Sequence, residues 1–257
     1  GPTLSGFIVD LLSWRWLFLL NLPVGIVALG FILKYMHLPH IPRRRQIDYA
    51  GFITLTLGLV AVLLATSWGG TQYPWSSPPI LGLYALGAVL LALFAFTQTR
   101  AAEPVIPVYL WKNPVFTASS IASMTLAMGM FGAIYFVPVF AQGVLGISVA
   151  SSGFVLIPLD GSLILVSALN GLVISRTGYY KPQMLLGLPL MGLGFLLLYH
   201  LPPDAGILAL LARMVLIGVG IGSAMQTYTV VVQNNVPRQD LGVATSAIQF
   251  SRNVGST

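Results

Sequence analysis

Charged residues and cysteines are scarce in this sequence. Only 7% of its 257 residues are charged, six of them Asp or Glu, and cysteine is absent. Soluble domains carry about 25% charged residues. A water-soluble core is therefore excluded, because too few polar side chains remain to cover a chain that is 56% hydrophobic. The lack of cysteine excludes disulfides and thiolate metal sites. The composition indicates a polytopic membrane protein.

Motifs for enzymatic or ATP-driven chemistry are also missing. No P-loop sequence GxxxxGK[ST] occurs, and no Ser, His and acidic set converges on one span. The run GVGIG at 218–222 lies inside an apolar segment with no preceding strand, so small-residue helix packing explains it better than dinucleotide binding. His37 and His40 have a ligand-like spacing but no further ligands near them. We expect no metal site and no enzyme.

Apolar runs of bilayer length fill most of the chain. A membrane helix needs about 20 apolar residues, and strands of a membrane barrel would alternate in polarity. The sequence predicts nine helical segments, the first and last of them partial: Gly1–Leu12, Trp16–Met36, Tyr49–Ser67, Pro79–Thr99, Val115–Ala141, Ser151–Ile174, Gln183–Leu201, Gly206–Val232 and Gly242–Thr257. With partial spans at both ends and no initiator Met, we expect an internal segment of a longer protein.

Basic residues in the connectors give the orientation. Although the net charge is +6, the cations sit in short segments between apolar runs, which sets membrane topology and is not typical of a nucleic-acid-binding face. The even connectors hold Lys34, Arg43, Arg44, Arg45, Arg100, Lys112, Arg176, Lys181 and Arg238. The odd connectors hold only Arg15, so the even ones are predicted to be cytoplasmic.

The stretch Ser151–Lys181 carries the strongest functional signal. Asp160 is the one ionisable residue between Gly153 and Ile174, and intramembrane carboxylates are costly and usually functional. Pro158 cannot donate a backbone hydrogen bond, so a broken helix near Asp160 would offer free backbone groups to a substrate or ion. We expect cation recognition or proton coupling at Asp160, with outward snorkelling or a structural pairing as the alternative.

Other residues are candidates for the same site. Arg213 and Arg252 lie within spans and are candidate partners of Asp160, although Arg213 is equally suited to snorkel to the outer face. Aromatic and thioether side chains at near-helical spacing suit lipophilic cations, with lipid or core packing as the alternative. The predicted cavity residues are Met124, Met128, Phe131, Tyr135, Gln226 and Tyr228.

The first 25 residues, GPTLSGFIVDLLSWRWLFLLNLPVG, closely resemble drug:proton antiporters of the major facilitator superfamily. The fourteen-span EmrB/QacA-type branch shows a GPxLGG…SWRWxFxxNxPxG pattern, and here Ser5 replaces one Gly. QIDYAG at 46–51 is similar to that branch's entry to two extra central helices. The segment 176–182 resembles a degenerate helix 2–3 loop motif, and 233–245 resembles the connector after the twelfth helix.

The resemblance implies an all-α major facilitator fold, of which about nine of fourteen helices are present. It implies the end of a first bundle at 1–36, a cytoplasmic loop and two inserted helices with a linker at 37–112, and a second bundle at 113–257. The implied function is proton-coupled multidrug efflux by alternating access in the plasma membrane. It uses no cofactor except the proton gradient, and its partners are small lipophilic or cationic compounds, protons and lipids, without nucleic acid.

The resemblance also assigns roles to two motifs. Gly1, Pro2 and Gly6 match the antiporter motif, a kinked seam between bundles that limits proton leak; ordinary small-residue packing is the alternative. Arg176, Gly178 and Lys181 match the conformational loop motif. Two other readings of the chain stay open: the same fold exporting a defined metabolite or lipid, and a membrane receptor or scaffold that transports nothing.

Overall fold

Helices make up nearly all of the chain that can be described. The computed structural model describes Ile8, Ser13 and residues 15–36, 47–101, 103–202 and 205–257, and no β-strand forms among them. The α-helices in chain order are α1 Arg15–Leu19, α2 Asn21–Tyr35, α3 Tyr49–Trp68, α4 Pro78–Arg100, α5 Val108–Lys112, α6 Pro114–Gly143, α7 Val149–Ser152, α8 Ile157–Thr177, α9 Lys181–Tyr199, α10 Ile207–Asn234 and α11 Leu241–Ser256. The predicted all-α fold is confirmed.

Seven segments of the described chain are long and apolar enough to cross a membrane. They have 19 to 30 residues, which at 1.5 Å per residue gives about 28 to 45 Å. Each matches a full span that the apolar runs predict, as α3 shows by beginning at Tyr49, where the prediction begins. Helix α11 is shorter, with 16 residues.

The segment that begins at Ser151 has a different start from the predicted one. Helix α7 is followed by a 3-10 turn, Gly153–Leu156, and α8 then begins at Ile157. Pro158 therefore lies in the first turn of α8. Proline is tolerated there because its missing N–H would have no intrahelical partner. The irregularity is a change of helix type before Ile157.

The described residues divide into two compact units. The first contains the described part of 1–43 together with Leu126–Thr227 and Ser256, and the second contains the described part of 44–125 together with Tyr228–Gly255 and Thr257. Helices α6 and α10 contribute residues to both, and α11 contributes Ser256 to the first and its other residues to the second.

In the first unit, α10 packs between α8 and α9. A Cβ added at Gly222 would lie 2.6 Å from the Leu163 carbonyl oxygen of α8, whereas one at Gly220 would lie 2.8 Å from the Gly187 oxygen of α9. Glycines 218 and 222 are one helical turn apart and face α8, and Gly220 is on the opposite side. The GVGIG run is therefore a helix-packing element, as the sequence predicts.

Polar side chains of α8 reinforce this packing. Ser162 donates to the carbonyl of Val215 at 3.1 Å, and Ser167 donates to that of Gly222 at 3.1 Å. Asn170 donates to the carbonyl of Ser223 at 3.2 Å. These acceptors are backbone groups of α10, so the two helices are joined by side-chain hydrogen bonds that a membrane interior favours.

In the second unit, α3 and α4 form an antiparallel hairpin. Gly87 of α4 lies against Val62 and the carbonyl of Gly58 on α3, and Thr66 is 3.2 Å from the hydroxyl of Tyr84. The loop between the helices turns at Gly70, whose φ of 74° is a conformation that glycine adopts without steric cost.

A polar cluster closes the other end of the hairpin. Asp48 caps α3 by accepting from the Gly51 N–H at 2.7 Å, and it also accepts from the Gln98 amide of α4 at 2.7 Å. The Gln98 oxygen in turn accepts from the Ile106 N–H at 3.0 Å. Only 5% of Gln98 is exposed. One amide thus holds together the start of α3, the end of α4 and the connector to α5.

The start of α6 contacts the connector between α10 and α11 in the same unit. Asn113 caps α6 by accepting from the Val115 N–H at 2.9 Å, and its amide donates to the Asn235 carbonyl at 3.3 Å. Further along, a Cβ at Gly255 of α11 would overlap the backbone of Met124 on α6. One contact before the two helices and one further along both indicate that α6 and α11 run side by side in the same direction.

Candidate functional site

Asp160 lies in the first turn of α8 and is partly exposed. Within the described residues, no hydrogen bond or ion pair involves its carboxylate. A carboxylate in the first turn interacts favourably with the helix dipole. This position leaves both carboxylate oxygens able to accept hydrogen bonds from a ligand.

Arg213 is held by backbone carbonyls in the first unit. Its Nε donates to the Leu197 carbonyl at 2.7 Å and its Nη1 donates to the Ala209 carbonyl at 2.6 Å. Leu197 lies near the end of α9 and Ala209 near the start of α10, so the guanidinium binds where two helix ends meet. The described residues show no ion pair between Arg213 and Asp160, and a coupling role for Arg213 stays a prediction.

Arg252 belongs to the second unit and is 8% exposed. Its Nη1 donates to the Gln249 side-chain oxygen at 3.1 Å, and its Nη2 donates to the Thr229 hydroxyl at 3.3 Å. It is thus a buried cation that bonds to side chains of α10 and α11. Its predicted pairing with Asp160 stays a prediction.

The aromatic and methionine residues of α6 form a single stripe. Met124, Met128, Phe131 and Tyr135 recur at helical spacing, and the rings of Phe131 and Tyr135 are 6.1 Å apart. Met128 is 56% exposed and Tyr135 is 63% exposed. The stripe is an accessible apolar surface of this chain, which suits either cavity lining or lipid contact.

The two candidate cavity residues of α10 do not share a face. Gln226 is exposed, whereas only 2% of Tyr228 is exposed. Residues two apart on an α-helix point in nearly opposite directions. Gln226 is therefore accessible in this conformation, and Tyr228 is buried.

The loop motif has a clear backbone basis. Gly178 ends α8 with φ 71°, and its N–H donates to the Ile174 carbonyl at 2.8 Å. A left-handed C-terminal residue of this kind is usually glycine. Arg176 in the last turn of α8 and Lys181 at the start of α9 are both exposed. The motif therefore forms a tight turn carrying two accessible cations.

Some predictions fall on residues that the structure does not describe. Gly1, Pro2 and Gly6 of the antiporter motif lie outside the described residues, as do His37 and His40. Among the residues that are described, no group of three or more His, Cys, Asp or Glu side chains could hold a metal ion.

Sequence reasoning missed three buried serines. Ser119, Ser120 and Ser123 of α6 are at most 1% exposed, and their hydroxyl oxygens have no hydrogen-bond partner among the described residues. Their spacing of i, i+1 and i+4 within an apolar span was the signal available in the sequence. It was overlooked because serine is common in helix packing seams.

A second missed feature is the pair formed by Tyr109 and Asp240. Tyr109 is 50% exposed, yet desolvation of its phenol, a hydrogen bond to Asp240 and the charge of that carboxylate together raise the pKa of Tyr109 to about 12. The pair joins α5 to the 3-10 turn Arg238–Asp240, beside the contact between Asn113 and Asn235.

Seven membrane-length helices in the described part of the chain, and a partly exposed carboxylate in the first turn of one of them, are typical of an integral membrane protein of the transporter type. The family model for the Major Facilitator Superfamily matches residues 1–257, and the chain therefore belongs to that superfamily. This is a superfamily of transporters, not of enzymes.

Several curated relatives are similar over the whole chain. The Multidrug transporter protein MdtP of Bacillus subtilis is 40% identical over 257 residues, which are 100% of this chain and 47% of that protein. The uncharacterized MFS-type transporter Rv1877 of Mycobacterium tuberculosis is 37% identical over 100% of this chain and 37% of its own length. The efflux pump roqT of Penicillium rubens is 34% identical over 99% of this chain and 49% of its own length. The chain spans half or less of the length of these relatives.

Proposed function

We propose that this chain is part of a proton-coupled antiporter that exports small lipophilic, often cationic compounds from the cell by alternating access. The observation that carries the proposal is identity of 34 to 40% across the chain to proteins named as a multidrug transporter and an efflux pump. In this proposal the plasma membrane houses the protein and the proton gradient supplies the energy. The working partners are the exported compounds, protons and lipids, and neither a cofactor nor nucleic acid takes part.

Asp160 is the proposed coupling group. Its carboxylate is partly exposed, and no described residue binds it. A protonatable group that meets each side of the membrane in turn exchanges a proton for a cationic substrate as the bundles rock. Arg213 and Arg252 are proposed to tune the field around the site through their positive charge. Arg213 does so from the carbonyls of Leu197 and Ala209.

The stripe on α6 is the proposed substrate surface. Methionine adapts its shape to different ligands, and aromatic faces attract cations. Met128 and Tyr135 are the most exposed of its four members. Gln226 offers an accessible amide on α10 that can donate or accept a hydrogen bond. Tyr228 is also a proposed cavity residue, and it is buried in this conformation.

Two motifs are proposed to control the conformational change. The exposed cations Arg176 and Lys181, held by the turn at Gly178, act as a cytoplasmic loop that contacts the opposing bundle in one state. Gly1, Pro2 and Gly6 form the proposed seam between bundles that limits proton leak.

Transport in energised vesicles tests the function. Everted vesicles from a transporter-deleted strain expressing the protein should take up fluorescent lipophilic cations, and each addition of substrate should dissipate the proton gradient. Asp160→Asn should lose transport of dications more than that of monocations, because one negative charge is removed. Glu103→Gln is the matched control, since Glu103 is an exposed carboxylate outside the spans. Equal transport of every substrate by a correctly inserted Asp160→Asn protein would exclude the coupling role.

A second candidate function is export of one defined metabolite. A relative from Neocamarosporium betae that is 32% identical over the whole chain is named the Aspyridones efflux protein. The name of that pump refers to a single class of compound. A substrate panel in the deleted strain separates the two, because a dedicated exporter protects against one chemical class only. A receptor or scaffold would give no proton flux with any compound.

A further inference from the structure

Three buried serine hydroxyls of α6 have no hydrogen-bond partner among the described residues. Ser119 is 0% exposed, and Ser120 and Ser123 are each 1% exposed. None of their oxygen atoms makes a hydrogen bond to a described residue. Buried polar groups in proteins are nearly always hydrogen-bonded to protein or to ordered water.

Other hydroxyl groups in the same unit donate hydrogen bonds to backbone carbonyls of their own helix. Thr125 of α6 donates to the Ile121 carbonyl at 3.0 Å, and Ser251 of α11 donates to the Ala247 carbonyl at 3.0 Å. Both bond to the carbonyl four residues earlier, which is how serine and threonine are satisfied inside apolar helices. The three serines depart from this pattern together, within little more than one helical turn.

The contact that α11 makes with α6 at Gly255 lies close to the serines. Gly255 contacts the Met124 backbone, and Ser120 is one turn before Met124 on the same side of α6. Arg252 is three residues before Gly255 and shares its face of α11, which puts it about 4.5 Å nearer the start of that helix. Because α6 and α11 run parallel, Ser120 and Arg252 lie at a similar level on neighbouring helices.

Arg252 brings further hydrogen-bonding groups to this level. Its guanidinium donates to Thr229 of α10 and to Gln249. Polar side chains of α10 and α11 therefore meet at about the level where α6 carries Ser120. A permanent positive charge at that level favours water and groups that accept hydrogen bonds.

We propose that Ser119, Ser120 and Ser123 bind ordered water in a hydrated pocket between α6 and α11, next to the guanidinium of Arg252. The water accepts and donates the hydrogen bonds that the three hydroxyls do not make with protein. The pocket keeps Arg252 solvated within the membrane. This inference is independent of the proposed function, because it concerns water in the second unit and not the transported compound.

Thiol labelling tests the pocket, since the chain has no cysteine of its own. Ser119→Cys, Ser120→Cys and Ser123→Cys replace one small side chain by another of nearly the same size. Each protein, reconstituted in liposomes, is treated with small membrane-impermeant methanethiosulfonate reagents, which need water and a thiolate to react. Ile121→Cys is the matched control, because Ile121 lies on the same helix and is 58% exposed on its apolar surface. At least one of the three serine positions should react about tenfold faster than Ile121→Cys, since a thiolate forms only where water solvates it.

Reagent charge tests the place of Arg252. Its cation should favour an anionic sulfonate reagent over a cationic ammonium one, and Arg252→Gln should abolish that preference. Failure of all three serine variants to react faster than Ile121→Cys overturns the hydrated pocket. Reaction without any charge preference overturns its position beside Arg252.

A second measurement does not depend on the cysteine variants. Ser120→Ala removes the hydroxyl and barely changes the volume. A dry hydroxyl is an unsatisfied group, so its removal raises the Tm of the purified protein. A hydroxyl bonded to water gives an unchanged or lower Tm. A raised Tm therefore overturns the proposal, and an unchanged or lower one supports it.

Discussion

Replacing Gly220 by alanine should weaken the first unit by separating α9 from α10. A methyl group at this position would lie 2.8 Å from the Gly187 carbonyl oxygen and 2.9 Å from the Met191 Cα, and closer still to the Met191 backbone nitrogen. All three neighbours are backbone atoms, so no flexible side chain can move aside. Ordinary contact with a Cβ begins at 3.4 Å. The helices must therefore part by at least 0.6 Å along the seam.

The size of the effect follows from two opposing contributions. Overpacking a tight interface costs about 1–3 kcal/mol, and a gap of 0.5–1 Å forfeits a quarter to a half of each dispersion contact along the seam. Alanine gains up to about 1 kcal/mol over glycine in helix propensity. The clash outweighs the gain, and we expect Gly220→Ala to lower the free energy of unfolding by about 1–2 kcal/mol.

The assay is reversible unfolding of the purified protein in mixed micelles, followed by tryptophan fluorescence. Gly192→Ala is the control. Gly192 lies in α9, one of the two helices of this seam, but a Cβ there has no heavy atom within 4 Å. The control should be unchanged or slightly more stable. Equal stability of the two variants would refute the interleaved packing of α10.

Three further outcomes are expected. The raised pKa of Tyr109 means that the folded protein keeps the phenol proton at a pH where the unfolded chain loses it, so the free energy of unfolding falls as pH rises from about 10 to 12. Tyr109→Phe should flatten that fall. Asp240→Asn should move the absorbance titration of the Tyr109 phenol to lower pH. Gln98→Leu should cost about 1–3 kcal/mol in unfolding experiments, because it leaves buried partners unsatisfied, whereas Gln72→Leu in the exposed loop should have little effect. Gly178→Ala should cost about 1–2 kcal/mol, because a Cβ is strained at φ 71°, and circular dichroism melts would detect it.

The number of full spans in the described chain, and most of their limits, could be predicted from the sequence. Apolar runs of about 20 residues leave a helix as the only stable way to cross lipid, since every backbone group must be bonded internally. Helix α3 begins at the predicted residue, Tyr49, and α10 extends the predicted Gly206–Val232 by only two residues at its end, to Asn234. Physical constraint from the membrane, not local propensity, made these predictions accurate.

The predicted break of the helix at Pro158 does not form. Pro158 lies in the first turn of α8, which begins at Ile157, and does not interrupt that helix. The difference arises because a proline can either kink a helix or start one, and the choice depends on the residues before it. Here Gly153–Leu156 form a 3-10 turn that ends where the α-helix starts.

The sequence could not predict which helix faces meet. The spans are apolar on all sides, so hydrophobic periodicity carries little information about neighbours. Ser120 and Ser162 are both serines within apolar runs, yet Ser162 bonds to α10 and Ser120 bonds to no described residue. Likewise, nothing near Tyr109 in the chain indicates Asp240 as its partner. Such pairs depend on tertiary packing and are visible only in three dimensions.

The hydrogen bonds and glycine contacts on both sides of α10 have a mechanical consequence. Separating α8 from α10 would break three side-chain hydrogen bonds at once, and separating α9 from α10 would open a seam with almost no slack. Sliding is equally blocked, since each glycine fits one backbone position. Helices α8 and α9 and the part of α10 that ends at Thr227 must therefore move together as one rigid group.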